Sequence, residues 1–301
     1  MCDTCGCNVT DGNRHLVEAG GKHATTESGK EAVSVLQNLL SENDHAAAHN
    51  REHFDRHNVL AVNLMSSPGS GKTALLESTI ERLGREFRIA VVEGDLETEN
   101  DAARIRDKGV EAVQITTGTA CHLDAHMVHD ALHQLDLQDV DILFIENVGN
   151  LVCPASFDLG QHRNITLLSV TEGDDKPAKY PVMFRAADLM LVTKSDLLAV
   201  LDDFDPHQAE WHLRELASDA RSITLSAKTG DNLESWFDWL RDEVVAQEER
   251  VARGLVQLSG VTPSDAAHVL GGLQDWDGEA AQKALTLFAR KRADSGETLA
   301  A

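Results

Sequence analysis

The run Ser66-Ser67-Pro68-Gly69-Ser70-Gly71-Lys72-Thr73 has the residue types of a phosphate site. Gly69 and Gly71 let the backbone curl so that its N–H groups face inward as an anion nest. A helix opening at Lys72 would add the positive end of its dipole. Pro68, Gly69, Ser70, Gly71, Lys72 and Thr73 form the expected cradle, with Lys72 reaching the β- and γ-phosphates and the Thr73 hydroxyl placed on Mg²⁺. The usual loop begins with Gly. Here that position is Ser66, which must take a backbone conformation open to a residue with a side chain.

Two acidic positions complete the phosphate side. Glu146 ends an apolar run and is followed three residues later by Gly149. A carboxylate at a strand end can hold Mg²⁺ or its water, and the Gly149 N–H can sense a γ-phosphate. Asp95, after a second apolar run, is another candidate for the Mg²⁺ shell. Thr193-Lys194-Ser195-Asp196 is similar to the guanine-specificity motif of GTPases, with Thr in place of the usual Asn. Asp196 can accept hydrogen bonds from the N1–H and 2-amino groups of guanine, a pair that adenine lacks. The Lys194 stem can cover the base, and Ser226, Ala227 and Lys228 form the expected last base-contacting loop.

A second chemistry lies in the thiols and imidazoles. Cys2, Cys5 and Cys7 put three sulfur ligands within six residues, suited to square-planar Ni²⁺ or tetrahedral Zn²⁺, with the amine of Cys2 as a fourth ligand once Met1 is removed. Cys121-His122 is the next cluster, and Cys153 follows just after Gly149. His122, His126, His129 and His133 share one face if residues 121–135 form a helix. His126 is then an auxiliary ligand beside Cys121, His122 and Cys153. The six His between His15 and His57 read as a solvated linker.

These residues need a scaffold. Short β-rich runs lie at 59–65, 88–93, 112–116, 140–146, 165–171, 188–193 and 222–226, and most are continuous in apolar residues, which suits strands covered on both faces. Helical stretches at 72–85, 99–108, 121–135, 206–220 and 232–249 alternate with them. The alternation predicts an α/β fold with a mainly parallel sheet wrapped by helices. Residues 1–52 read as a flexible metal-binding arm with a short helix at 30–40, residues 53–250 as the nucleotide domain, and residues 251–301 as a short helical extension of open role.

Composition narrows the partners. Lys and Arg number 27 against 50 Asp and Glu, a formal net charge of −23. That balance argues against nucleic acid and against anionic membranes, both of which call for clustered basic residues. The 5 Cys are too few and too odd in number for a disulfide framework. With no signal-like N-terminus and no long apolar run, the expected compartment is the cytosol.

Together the motifs resemble the HypB family, the GTPases that insert nickel during hydrogenase maturation. The resemblance rests on Cys2-x-x-Cys5-Gly6-Cys7, the loop at 66–73, Cys121-His122, the stretch from Glu146 to Asp158 and Thr193-Lys194-Ser195-Asp196, and covers about residues 1–250. It implies the three-layer α/β P-loop NTPase fold of a SIMIBI-type GTPase, with slow, Mg²⁺-dependent GTP hydrolysis, Ni²⁺ or Zn²⁺ binding and GTP-dependent homodimerisation. It also implies delivery of nickel to the hydrogenase large subunit with a HypA-type nickel chaperone. A small-molecule kinase built on the same loop would leave the Cys and His clusters idle.

Overall fold

The computed structural model describes residues 30–95, 100–118, 120–216 and 218–254. Cys2, Cys5, Cys7 and the extension beyond residue 254 lie outside them. Seven strands form one sheet: β1 (Leu60–Ser66), β2 (Ile89–Asp95), β3 (Glu111–Thr116), β4 (Ile142–Glu146), β5 (Arg163–Ser169), β6 (Leu189–Thr193) and β7 (Arg221–Thr224). Their order is β3-β2-β4-β1-β5-β6-β7, and every pairing is parallel. All seven strands therefore end on one edge, so Ser66, Asp95, Glu146, Thr193 and Thr224 close the same rim. In open parallel sheets ligands bind outside these carboxyl ends.

Helices cover both faces. The described helices are α1 (Lys30–Arg56), α2 (Lys72–Leu83), α3 (Asn100–Arg106), α4 (Ala125–Leu132), α5 (Lys176–Lys179), α6 (Pro181–Arg185), α7 (Pro206–Glu215) and α8 (Leu233–Ala252). Alternation along β4 divides the core. Ile142 and Phe144 join the cluster of α2 and α8 around Leu76, Ile80, Trp236 and Leu240. Leu143 and Ile145 join the cluster of α1 and α4 around Phe54, Val128 and Leu132. Both faces of the five central strands are thus buried, which is why their sequences are rich in apolar residues, whereas the edge strands β3 and β7 are partly exposed.

Two expectations change. Helix α1 runs unbroken through residue 52, where the arm was expected to end, and its second half is fastened to the body. Asn43 Nδ2 donates to the Asp158 carbonyl at 2.8 Å, and Arg51 Nη2 meets both carboxylate oxygens of Asp158 at 2.9 Å. Asp55 pairs with His162 at 3.0 Å and with Arg250 of α8 at 2.7 Å. Residues 43–55 are therefore part of the folded body, not a free linker. The helix expected over 121–135 begins only at Ala125. Asp124 is extended and its side chain accepts from Met127 N at 2.8 Å, a cap that starts the helix after Cys121 and His122.

Candidate functional site: a phosphate loop beside a metal centre

Residues 66–73 join the end of β1 to the start of α2. Ser66 is the last strand residue, so the position usually held by Gly is extended backbone here and strains no side chain. Its hydroxyl instead takes the Lys72 ammonium, Nζ to Oγ at 3.0 Å. Gly69 and Gly71 carry the positive φ values the curl requires, 75° and 96°. Ser67 and Ser70 hydrogen-bond the carboxylate of Glu172, the latter at 2.7 Å.

The carboxylates lie beneath this loop. Glu93 and Glu146 are register neighbours on β2 and β4 and are only 2% and 4% exposed. Thr73 Oγ1 donates to Glu146 Oε1 at 3.0 Å, while Oε2 of each glutamate is buried without a hydrogen-bond partner. Burial raises the Glu93 carboxyl to about 8, helped by the charges of Glu146 and Asp95. Burial likewise raises Glu146 to about 7, against the pull of Lys72 and the Thr73 hydroxyl. Two orphaned carboxylate oxygens beside a threonine hydroxyl fit a hard divalent cation such as Mg²⁺, which would satisfy both. Asp95 closes β2, half-buried, and contributes to the same negative field. Glu93 escaped the sequence reading, although a carboxylate inside an apolar parallel strand was the available signal.

On the other side of β1, β6 and β7 bring the base-side motif to the same rim. Thr193 Oγ1 donates to the Ser70 carbonyl at 2.7 Å, and Lys194 Nζ to the Gly69 carbonyl at 2.7 Å. The motif is thereby clamped to the phosphate loop. Ser226 Oγ donates to Asp196 Oδ1 at 2.6 Å, and Lys228 Nζ lies 3.7 Å from Oδ2. The Ser226 hydroxyl, foremost, holds the Asp196 carboxyl below its usual range and so ionised and oriented. Ala227 joins them through its carbonyl, 3.5 Å from Ser78 Oγ of α2.

Cys121, His122 and Cys153 come together from two loops. The sulfurs are 3.3 Å apart, and His122 Nδ1 is 3.9 Å from Cys121 Sγ. All three ligand atoms lie within 4.8 Å of one another. His122 is fully buried and stacked on Phe157, ring centroids 4.1 Å apart, which fixes its aim. Hydrogen bonding to Cys153, then to His122, holds the Cys121 thiol below its ordinary value. Two sulfurs and an imidazole are donors for a borderline cation such as Ni²⁺ or Zn²⁺. His126 does not join them. It follows the Asp124 cap, on α4, and belongs to neither cluster of metal-ligating side chains among the described residues.

The two sites share one loop. Gly149 lies against the phosphate loop, where a Cβ would come within 2.8 Å of Pro68 Cα. Asn150 then bridges both: its N–H donates to the Ser66 carbonyl at 2.7 Å, and its Nδ2 to the Cys121 carbonyl at 3.2 Å. Cys153 lies three residues further on. Asn147 adds a second tie, its Oδ1 accepting from Leu123 N at 3.1 Å while its N–H reaches the Leu64 carbonyl of β1 at 3.0 Å. Asn147 and Asn150 have no distinctive spacing, so their bridging was not legible in the sequence.

The chain was compared with known proteins. Residues 60–224 match the family model of the CobW/HypB/UreG nucleotide-binding domain. The hydrogenase maturation factor HypB of Azotobacter chroococcum is 53% identical over 218 residues, covering 72% of this chain and 71% of that protein. The chain belongs to the HypB family. Among solved structures, HypB from Helicobacter pylori in complex with nickel is 44% identical with a TM-score of 0.66, covering 68% of this chain and 96% of that one. HypB from Archaeoglobus fulgidus is 42% identical with a TM-score of 0.64, covering 68% of this chain and all of that one. The expected P-loop fold with a parallel sheet is thus the fold of this HypB-family member. No helix among the described residues is long and apolar enough to cross a membrane.

Proposed function

We propose that the chain is a Mg²⁺-dependent GTPase of the cytosol that carries nickel and delivers it during hydrogenase maturation, its nucleotide state setting its hold on the metal. The reading joins the names of its relatives to one observation: Asn150 spans the phosphate loop and the Cys121 loop. On nucleotide binding, Lys72 would leave Ser66 for the phosphates, and the inward N–H groups of residues 68–73 would hold their charge. Thr73 and Glu146, with Glu93 and Asp95 nearby, would hold Mg²⁺, which supplies charge neutralisation at the phosphates. Asp196 would select guanine. Any shift of Gly149 towards a γ-phosphate drags Asn150, and with it the Cys121 carbonyl and the Cys153 segment.

In the same reading residues 1–52 carry a metal site at Cys2, Cys5 and Cys7, with residues 43–52 packed on the body, residues 53–250 form the nucleotide domain, and residues 251–301 are an extension. A HypA-type nickel chaperone, the hydrogenase large subunit and a GTP-dependent second copy of the chain are the partners. Among the described residues no Gln or Arg is assigned to orient the attacking water, and hydrolysis should be slow, roughly 10⁻⁴ to 10⁻² per second. The test is phosphate release from GTP and ATP by the full chain and by Lys72→Ala. GTP-selective, slow release that Lys72→Ala abolishes is expected. Equal use of ATP and GTP would refute it.

A further inference from the structure

Helices α1 and α4 pack against each other with histidines at the contact. His49 and His53 stand four residues apart on α1, and His129 of α4 faces them. Ring centroids are 4.6 Å apart for His49 and His53, 5.0 Å for His49 and His129, and 5.9 Å for His53 and His129. His133 follows His129 at 4.8 Å. One ring nitrogen of each of His49, His53 and His129 lies within 4.8 Å of the other two.

The ordinary explanation would be a solvated polar seam. Two details point to a ligand instead. Asn50 fixes the tautomer of His129: its Nδ2 already donates to the Ala125 carbonyl at 2.8 Å and the Leu159 carbonyl at 3.1 Å. Its Oδ1 can then only accept, so the contact at 3.1 Å is donated by His129 Nδ1–H, and Nε2 keeps the lone pair. An imidazole oriented through its other nitrogen by a buried amide is the usual second-sphere arrangement of a metal ligand. Paired His at i and i+4 on one helix face is also a known bidentate spacing for Zn²⁺. Beside the rings lies a groove of about 200 Å³ lined by His53, His57, His129, His133 and Asp136, with room for a hydrated cation and further donors.

We propose that His49, His53 and His129 form an additional metal site for a borderline divalent transition cation of the Ni²⁺, Zn²⁺ and Co²⁺ class, with His133 or water completing the shell. The site is built from imidazole alone. It shares no residue with Cys2, Cys5 and Cys7 or with Cys121, His122 and Cys153, and it offers no thiolate. It does not depend on nucleotide hydrolysis, so it stands or falls apart from the proposed function.

The test uses the full chain with Cys2, Cys5, Cys7, Cys121 and Cys153 changed to Ser, titrated with Co²⁺ and Ni²⁺. One equivalent should bind, with a Co²⁺ ligand-field spectrum lacking the thiolate charge-transfer band. The double variant His49→Ala, His53→Ala should weaken binding by ~100-fold, and His129→Ala, on the other helix, by a similar factor. Unchanged melting temperature and GTP affinity show that these variants are folded. No equivalent bound, binding only at millimolar metal, or loss in the α1 double variant without loss in His129→Ala would each overturn the shared site.

Discussion

Glu93 and Glu146 should give the protein a pH dependence opposite to that of a salt-bridged surface acid. Both carboxyls, raised to about 8 and about 7, lie above the ordinary value of 4.5. The folded chain therefore keeps protons that the unfolded chain has released. At pH below the ordinary value both states are protonated and nothing is lost. As pH rises above it the unfolded chain ionises freely, the folded chain resists, and stability falls until the folded values are passed. For Glu146 alone, moving from 4.5 to about 7 corresponds to about 3 kcal/mol at 1.36 kcal/mol per pH unit. In a body of this size that is a melting shift of roughly 6–12 °C. Glu146→Gln keeps an acceptor for Thr73 but cannot ionise. Thermal melts between about pH 5 and 8 should show wild-type stability declining with pH, Glu146→Gln declining less by that amount, and Mg²⁺ restoring the wild type at the alkaline end. Parallel curves for the two proteins, with no effect of Mg²⁺, would refute the assignment of a buried, cation-seeking pair.

Gly149→Ala should push the loop off Pro68, costing ~1–3 kcal/mol of stability and lowering GTP affinity together, as read by melting and nucleotide titration. If Asp196 receives guanine as proposed, Asp196→Ala would remove two charge-assisted hydrogen bonds and should weaken GTP binding by ~10²-fold or more while leaving ATP binding unchanged in a competition assay. Arg51→Ala strands the largely buried carboxylate of Asp158. It should destabilise the protein by ~3–5 kcal/mol in urea unfolding, without changing which nucleotide is preferred.

The parts legible in the sequence were those set by local pattern. Continuous apolar runs marked the central strands because both faces of a parallel sheet are buried there, and glycine spacing marked the phosphate loop because backbone curl demands it. Cys121, His122 and Cys153 were legible as candidate ligands by residue type, although only the fold brings Cys153 within 3.3 Å of Cys121. What the pattern hid was tertiary. The Asp124 cap cut the helix expected at 121–135, so His122 and His126 do not share a helical face. The polar second half of α1 looked like a linker, yet its Asn50, Arg51 and Asp55 are spent on partners more than seventy residues away. Glu93 passed as a strand residue because its role depends on β4 lying alongside in register.

The proposed coupling between nucleotide and metal runs through Asn150. It is tested by the Co²⁺ affinity of Cys121, His122 and Cys153 in a chain with Cys2, Cys5 and Cys7 changed to Ser, followed by the thiolate charge-transfer band, with and without a non-hydrolysable GTP analogue. A coupling of ~1–3 kcal/mol predicts an affinity ratio of roughly 5- to 150-fold, lost in Asn150→Ala. Equal affinity in the two nucleotide states, or a ratio that survives Asn150→Ala, would contradict it.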